Sequence, residues 1–319
     1  MVASDTSDKA SPGGGVHYLD ISADQAGQRV DNFLHTYLRG APRSLVYRLL
    51  RTGQVRVNGG RAKPTQRLSA GDRVRIPPVP GSQGEGERQV PAAALQRIRE
   101  AIVYEDSRQL VVNKPSGMAV HAGSGLNFGV VDAVRELRPQ RQPQLVHRLD
   151  RSTSGLLLLA LDRETLKIQQ QAFQQGRVGK YYLALLHGRM REDKVEVDAP
   201  LRRTHDAGAE ESVVVDAAGK PALTEFRRLE SWRDYTLVEA RLATGRTHQI
   251  RVHAAHMGCP LAGDERYGDK RQLQQDRERG LKRLFLHAHR LDLDWPESIL
   301  VSSPLSDDLH EFTTTLARR

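Results

Sequence analysis

The sequence predicts an α+β protein in two parts: a small αβ module, then a domain built on a mixed, largely antiparallel β-sheet with flanking helices. Three observations carry that expectation. Before residue 77, apolar residues at helical spacing give way to short strands that alternate Arg with Val or Ile. The run Pro77-Pro78-Val79-Pro80-Gly81 then interrupts the chain with residues that punctuate structure. Beyond it most apolar runs read as strands, with two helices among them and no internal repeat. At 319 residues the chain also exceeds one small core, which makes two domains the default.

The elements follow in order. Residues 1–16 are polar, rich in Ser, Asp and Gly, and read as a disordered leader. Residues 17–76 form the small module. In it Val30, Phe33, Leu34, Tyr37 and Leu38 recur at spacings of three and four, the stripe of an amphipathic helix. Pro42 breaks the chain, and Ser44 is placed to cap a second helix through Leu50, with Gly53 as its stop. Residues 54–59 alternate polar with apolar and end in Asn58-Gly59, a strong hairpin signal, and Arg73-Val74-Arg75-Ile76 alternates again. Arg falls on one face of these strands, so the basic side chains should share a surface. Residues 77–93 read as a flexible linker and 94–319 as the larger domain. There strands are expected at 101–104, 109–112, 144–146, 156–161, 181–186, 223–226 and 235–242. Asp162 should cap a helix running to about Gln174, and another should span roughly 247–256.

Charge narrows the class of partner. Lys plus Arg is 48 against 39 Asp plus Glu, a formal charge of +9. Residues 21–75 hold eleven Lys or Arg and three acids, so a net +8 lies in the small module. A general preference for Arg over Lys explains the ratio of the two but not this concentration. The pattern points to a polyanion-binding module attached to a nearly neutral body. The longest apolar run, 156–161, falls far short of the roughly 20 residues a membrane helix needs. A single cysteine, Cys259, excludes an internal disulfide and a multi-cysteine zinc site. No secretory signal opens the chain, so the expected location is the cytoplasm, with no membrane partner.

No metal or nucleotide site is expected. His248 and His253 are five apart, on different helix faces; His253 and His256 lack a third ligand, and the charges beside them are Arg. Residues 121–125 match neither a Walker loop nor a dinucleotide loop, and His147, Asp150 and Ser154 are too close in sequence to converge as a hydrolytic triad. The informative stretch is 145–159, in which an apolar strand ends in a charged turn with small hydroxyl residues and a glycine, then enters a buried strand. A lone Asp in a turn is ordinarily a turn former or a salt-bridge partner. Asp150 differs because Arg148 and Arg151 flank it, and a second cationic segment, 245–251, enters a helix downstream. A neighbouring Arg lowers a carboxyl pKa by roughly 1–3 units, which would keep Asp150 ionised as a nucleophile or base.

His147-Arg148-Leu149-Asp150 with Ser152-Thr153-Ser154-Gly155 resembles the signature of RNA pseudouridine synthases of the ribosomal large-subunit type. Asn113-Lys114-Pro115-Ser116-Gly117, Lys180-Tyr181-Tyr182 and the run from Gly245 to His253 resemble that family's other motifs, in the family's order. Residues 27–76 resemble an S4 RNA-binding domain, and the likeness as a whole covers about 28–291. Residues 121–126 and 283–288 are similar to the C subgroup, while His289, Arg290 and the stretch 206–211 depart from it. The resemblance implies an isomerase that breaks the N-glycosidic bond of a uridine in RNA, turns the uracil and rejoins it through carbon, with no cofactor. It implies Asp150 as nucleophile or base, Arg251 as its ion-pair partner and Tyr182 against the uracil. Taken alone, Tyr182 would pass for a core aromatic and Arg251 for a surface residue. Arg148 would fill the space left by an extracted uridine, and Arg43, Arg48, Arg51 and Arg56 would meet phosphates. The implied partner is 23S ribosomal RNA or its large-subunit precursor, bound by a monomer. Two alternatives stand beside it: an RNA-binding assembly factor without chemistry, and a synthase acting on transfer RNA.

Overall fold

The structure, a computed structural model, describes residues 15–22, 25–38, 41, 43–79, 90–122, 128–204, 212–294 and 298–317. Nearly all of the expected leader, most of the expected linker and the 206–211 stretch lie outside them. The chain divides into two compact units, Met1–Gln89 and Val90–Arg319. Val90 belongs to the second unit: it is buried, and its N–H donates to Glu136 Oε2 at 3.1 Å. The end of the stretch read as linker, residues 90–93, is therefore built structure.

The first unit runs β1 (His17–Asp20), α1 (Val30–Tyr37), α2 (Arg43–Arg51), β2 (Arg56–Val57), β3 (Gly60–Arg61) and β4 (Arg73–Ile76). Its four strands form an antiparallel sheet in the order β1-β4-β2-β3. Alternation sorts the faces as expected: Val55, Val57, Val74 and Ile76 are buried with Val30, Leu34, Val46 and Leu50, while Arg56 and Arg73 are exposed. Asn58 and Gly59, with φ of 51° and 79°, supply the left-handed pair that a two-residue hairpin requires. α2 begins at Arg43, so Ser44 lies inside its first turn instead of capping it.

The second unit comprises α3 (Ala92–Glu100), β5 (Ile102–Glu105), β6 (Gln109–Lys114), α4 (Val130–Leu137), β7 (Gln144–Leu145), β8 (Ser154–Ala160), α5 (Arg163–Gln174), β9 (Val178–His187), β10 (Lys194–Asp198), β11 (Leu201–Thr204), β12 (Ser212–Val215), β13 (Leu223–Ser231), β14 (Tyr235–Leu242), α6 (Gln249–His256), α7 (Lys270–Glu278), β15 (Leu286–Asp294), β16 (Ser298–Ser302) and α8 (Asp307–Ala317). Ten strands form one mixed sheet, ordered β10-β13-β14-β9-β15-β8-β6-β5, with β16 on β15 and β7 on β8. Every pairing is antiparallel except β15 with β8. Asp162 caps α5 as expected, its carboxylate accepting from the Thr165 N–H at 2.8 Å.

The unbroken apolar run of β8 is explained by apolar cover on both faces. Leu157 and Leu159 join the core with Val112, Val131 and Leu186, whereas Leu156 and Leu158 join Val111, Leu291 and Val301 on the other side. Each fully buried leucine contributes roughly 1.5–3 kcal/mol.

The parallel contact is what brings the halves of the sheet together. Ala288 of β15 is in register with Gly155 of β8 on one side and with Tyr182 of β9 on the other. Gly155 has φ of 108°, and a Cβ there would stand 2.3 Å from the Ala288 carbonyl oxygen, with backbone that cannot swing away. Gly155→Ala should therefore destabilise the protein by about 3 kcal/mol or more, from strain and overpacking together. Thermal denaturation checks this: a melting temperature within a few degrees of wild type would mean that β15 can retreat.

Candidate active site

A cleft of about 590 Å³ opens where the turn after β7, the strand β9 and the start of α6 converge. Asp150, Tyr182, Lys180, His248 and Arg251 line it. The sequence motifs that lie far apart in the chain thus meet in one place.

Asp150 sits on the turn between β7 and β8, and the surrounding backbone fixes that turn. The Thr153 N–H donates to the Asp150 carbonyl at 3.1 Å. The Gly117 N–H and Arg151 carbonyl pair at 2.8 Å, and Ser116 Oγ donates to the Ser152 carbonyl at 2.8 Å. Beneath them Lys114 is fully buried, its ammonium donating to the carbonyls of Met118, Pro115 and Arg151 at 2.9, 3.0 and 3.2 Å. Burial pulls this ammonium down to about 7, against the charge of Asp150, which favours the protonated form. The Asn113–Gly117 motif is thus a cradle for the Asp150 turn. At the head of the turn the His147 ring accepts the Leu158 N–H at 3.0 Å and stacks on Phe173 at 4.9 Å.

The flanking arginines do not clasp Asp150. Arg151 turns away, its Nε donating to the Gly117 carbonyl at 2.9 Å. Arg148 is exposed at the cleft and makes no ion pair within 4.0 Å among the described residues. Arg251 also differs from the expectation: its guanidinium is held by both oxygens of Asp264, at 2.8 and 2.7 Å, and not by Asp150. The reason is local. Asp264 is 1 % exposed and already accepts the N–H groups of Arg266 and Tyr267, so a fork-shaped cation completes its shell. Burial alone would raise the Asp264 carboxyl, but the hydrogen bonds and charge of Arg251 hold it below the usual carboxylate range. Arg251 still lies near enough for the Asp150 charge to favour its protonated form. Asp264 is the site residue that sequence reasoning missed, and nothing in the local pattern Ala262-Gly263-Asp264 distinguishes it from a turn aspartate.

Among the described residues, the cation-capable group that comes within 4.0 Å of the Asp150 carboxylate is His248, whose Nε2 is 3.8 Å from Oδ2. His248 has φ of 54°, a left-handed conformation uncommon outside glycine, and it ends the approach to α6. That turn explains why α6 begins at Gln249 and not near Thr247: the Gln249 side chain accepts from the Arg246 N–H at 3.0 Å and from Thr244 Oγ1 at 2.8 Å, closing a loop ahead of the helix. Tyr267 Oη accepts the Val213 N–H at 3.2 Å, which leaves its own hydrogen for His248 Nδ1 at 2.8 Å. This assignment puts the imidazole proton on Nε2, facing Asp150. His253, by contrast, is a core histidine, its two nitrogens satisfied by Thr224 Oγ1 and the Ala199 carbonyl.

Tyr182 is buried and adjoins Asp150; burial first, and that neighbouring charge second, push its phenol above the ordinary range, so it stays a neutral hydroxyl. Lys180, two residues back on the same face of β9, is pulled down to about 8 by burial, with Arg246 adding to the effect. Tyr181 faces the opposite side, where Arg290 lies 3.7 Å over its ring. In the first unit Arg48 and Arg51 are exposed neighbours on α2, while Arg56 is on the sheet, with Nη1 on the Gly59 carbonyl at 3.2 Å. The Arg43 side chain lies outside the described residues.

Two outcomes follow from these charges. Asp264→Asn leaves Arg251 a buried cation with half a partner and should cost about 3 kcal/mol, read as a fall in melting temperature. Burial presses His147 down to about 3 and His287 to about 4, the charges of Lys180 and Arg283 respectively adding to it. The unfolded chain takes up these protons near pH 6.5 while the folded one cannot. The stability that these two rings contribute is therefore complete above about pH 6.5 and falls by about 1.4 kcal/mol per unit for each ring as pH drops toward the folded values. Urea midpoints measured from about pH 8 to about pH 5 check the sign; a midpoint flat across that window contradicts neutral buried rings.

Residues 108–256 match the family model for RNA pseudouridylate synthase, and residues 28–74 that for the S4 domain. The ribosomal large subunit pseudouridine synthase C of Vibrio cholerae is 46% identical over 308 residues, 94% of this chain and 97% of the relative. Its namesake from Yersinia pestis is 45% identical over 309 residues, 95% and 96% of the two chains. Among solved structures, human RNA pseudouridylate synthase domain containing 4 superposes with a TM-score of 0.60 at 25% identity, over 70% of this chain and 96% of that one. With the fold, the motif order and relatives that match from end to end all in accord, the chain belongs to the RNA pseudouridine synthases, a family of isomerases, in the branch formed by the ribosomal large-subunit synthases of type C.

Proposed function

We propose that this enzyme converts specific uridines of 23S ribosomal RNA, or of its large-subunit precursor, to pseudouridine, with Asp150 as the nucleophile or base and no cofactor. The observation that carries the reading is the position of Asp150: a carboxylate on a clamped turn, facing a cleft shared with a neutral tyrosine, a half-buried histidine and a buried guanidinium. The reaction breaks the C1′–N1 bond, forms C1′–C5, removes the C5 proton and returns one to N1. It balances without a reductant, an oxidant or a nucleotide cosubstrate. An ionised carboxylate beside C1′ or C6 is the group such a step needs.

Each neighbour has a part in that reading. Arg251, fixed by Asp264, holds positive potential behind Asp150, and His248 aims an N–H at it. Tyr182 presents a flat ring and a protonated hydroxyl to the uracil. A uridine inside folded RNA has to leave its stack to reach the cleft, at a cost of a few kcal/mol. Arg148, exposed at the mouth, takes the vacated place. Arg43, Arg48, Arg51 and Arg56 contribute phosphate contacts from the S4 unit. The enzyme works as a monomer in the cytoplasm; among the described residues no helix is long and apolar enough to cross a membrane.

Asp150→Asn is nearly isosteric, so it should keep the melting temperature and the affinity for RNA. It should lower turnover by at least about four orders of magnitude, the scale seen when a nucleophile is removed. Tritium release from C5-labelled uridine in ribosomal RNA measures this. Substantial release by Asp150→Asn would overturn the assignment.

A further inference from the structure

The arginines on the outer face of the S4 sheet are treated differently from those of the catalytic unit. In the catalytic unit most of those with defined partners are neutralised by carboxylates: Arg138 by Glu105, Arg202 by Asp216, Arg228 by Asp193, Arg279 by Asp234 and Arg283 by Asp308. On the outer face of the S4 sheet the opposite holds. Arg56, Arg73 and Arg75 stand there without an ion pair within 4.0 Å among the described residues. Each is nevertheless anchored. Arg56 donates to the Gly59 carbonyl at 3.2 Å, Arg75 to the Gln54 carbonyl at 2.7 Å, and Arg73 lies 4.9 Å over the ring of Tyr18. Across the hairpin from Arg56, Arg61 donates to the Arg51 carbonyl. The carboxylates nearby do not neutralise them. Asp20 makes no ion pair among the described residues, and Asp72 is spent on the Asn58 side chain and the Ser69 N–H, at 2.8 and 2.7 Å.

Tyr18 is the second observation. It lies on β1 opposite Arg75, and the residue is 55 % exposed although it is a large aromatic on a structured strand. Together with Arg56, Arg73 and Arg75 it lines a half-open basin of about 580 Å³, a volume that accommodates a nucleotide. A guanidinium held by one backbone carbonyl keeps its remaining N–H groups free and has already given up much of its rotamer freedom, so little more is lost when it meets a phosphate. An exposed ring among such cations offers a face for an unpaired base, the combination by which proteins hold single strands without reading sequence.

We infer that this basin is a single-stranded RNA site: one unpaired base stacks on Tyr18 while the adjoining phosphates lie across Arg56, Arg73 and Arg75. The site is distinct from the α2 arginines Arg48 and Arg51, and it selects for unpaired RNA where a purely cationic surface would not. It rests on the RNA-directed reading above but not on the chemistry at Asp150.

The test uses the full chain and a short fluorescent oligouridylate, free or annealed to oligoadenylate. Tyr18→Ala should weaken binding of the single strand about tenfold or more, the factor carried by one base stack, and change duplex binding much less. Tyr18→Phe keeps the ring and should stay within about twofold of wild type. Arg56→Gln with Arg75→Gln should make the slope of log affinity against log salt shallower by about 1.4, at roughly 0.7 per phosphate contact. Wild-type affinity in Tyr18→Ala overturns the proposal, and so does equal weakening of single strand and duplex. Asp150→Asn binds the oligonucleotide like wild type on this view, so loss of turnover and loss of the basin are read separately.

Discussion

The site depends on how closely β15 approaches β8. One glycine makes that approach possible: at Gly155 the neighbouring backbone occupies the space where any other residue would carry a side chain. Because Ala288 then lies in register with Gly155 and with Tyr182, the Asp150 turn is held at a fixed lateral distance from β9. A sheet that is otherwise antiparallel spends its single parallel contact here, over two residue pairs. Ser154 reinforces it, with His287 Nδ1 at 2.9 Å and Arg283 Nη1 at 3.2 Å on its hydroxyl. The small residues of the motif therefore serve the backbone geometry, which leaves the Asp150 carboxylate facing the cleft.

Beside the cleft the fold holds two buried carboxylates in closed sets of partners. Arg251 with Asp264, and Asp276 with His187, Tyr235 and the Gly263 N–H, lie one residue apart at Gly263 and Asp264. Such pairs add little net stability, because desolvation offsets their attraction, but they orient what they hold. Here they fix the 263–264 segment against Arg251, close to Tyr267, whose hydroxyl contacts the cleft residue His248. Asp150 is left out of this closed set, half-exposed and facing His248, which is the condition of a carboxylate available to a substrate.

The catalytic unit and the outer face of the S4 sheet treat charge differently. Neutralised arginines in the catalytic unit lock strands and loops together. On the outer face of the S4 sheet Arg56, Arg61 and Arg75 are instead pinned by carbonyls, which orders them without cancelling their field.

Much was determined by the sequence alone. The strands that alternate Arg with Val, the Asn58-Gly59 hairpin, the Asp162 cap and the unbroken run of β8 are local facts, set by side-chain periodicity and turn chemistry, and each formed where the pattern put it. Asp150 stood out by its charged turn between two apolar runs, whereas Tyr182 and Arg251 were named only through the family resemblance. What the sequence did not disclose is what depends on neighbours far along the chain. β15 escaped because its alternation changes phase at a bulge between Ala288 and Arg290, so no steady period of two runs through it. β1 is four residues with a single face to bury, too short to announce itself. The partner of Arg251 could not be inferred from spacing, since both Asp150 and Asp264 carry the right charge and only packing decides which carboxylate is sealed beneath the guanidinium. Identity of residues was written in the chain; which of them touch was settled by the tertiary structure, because burial and register are properties of pairs brought together by the sheet.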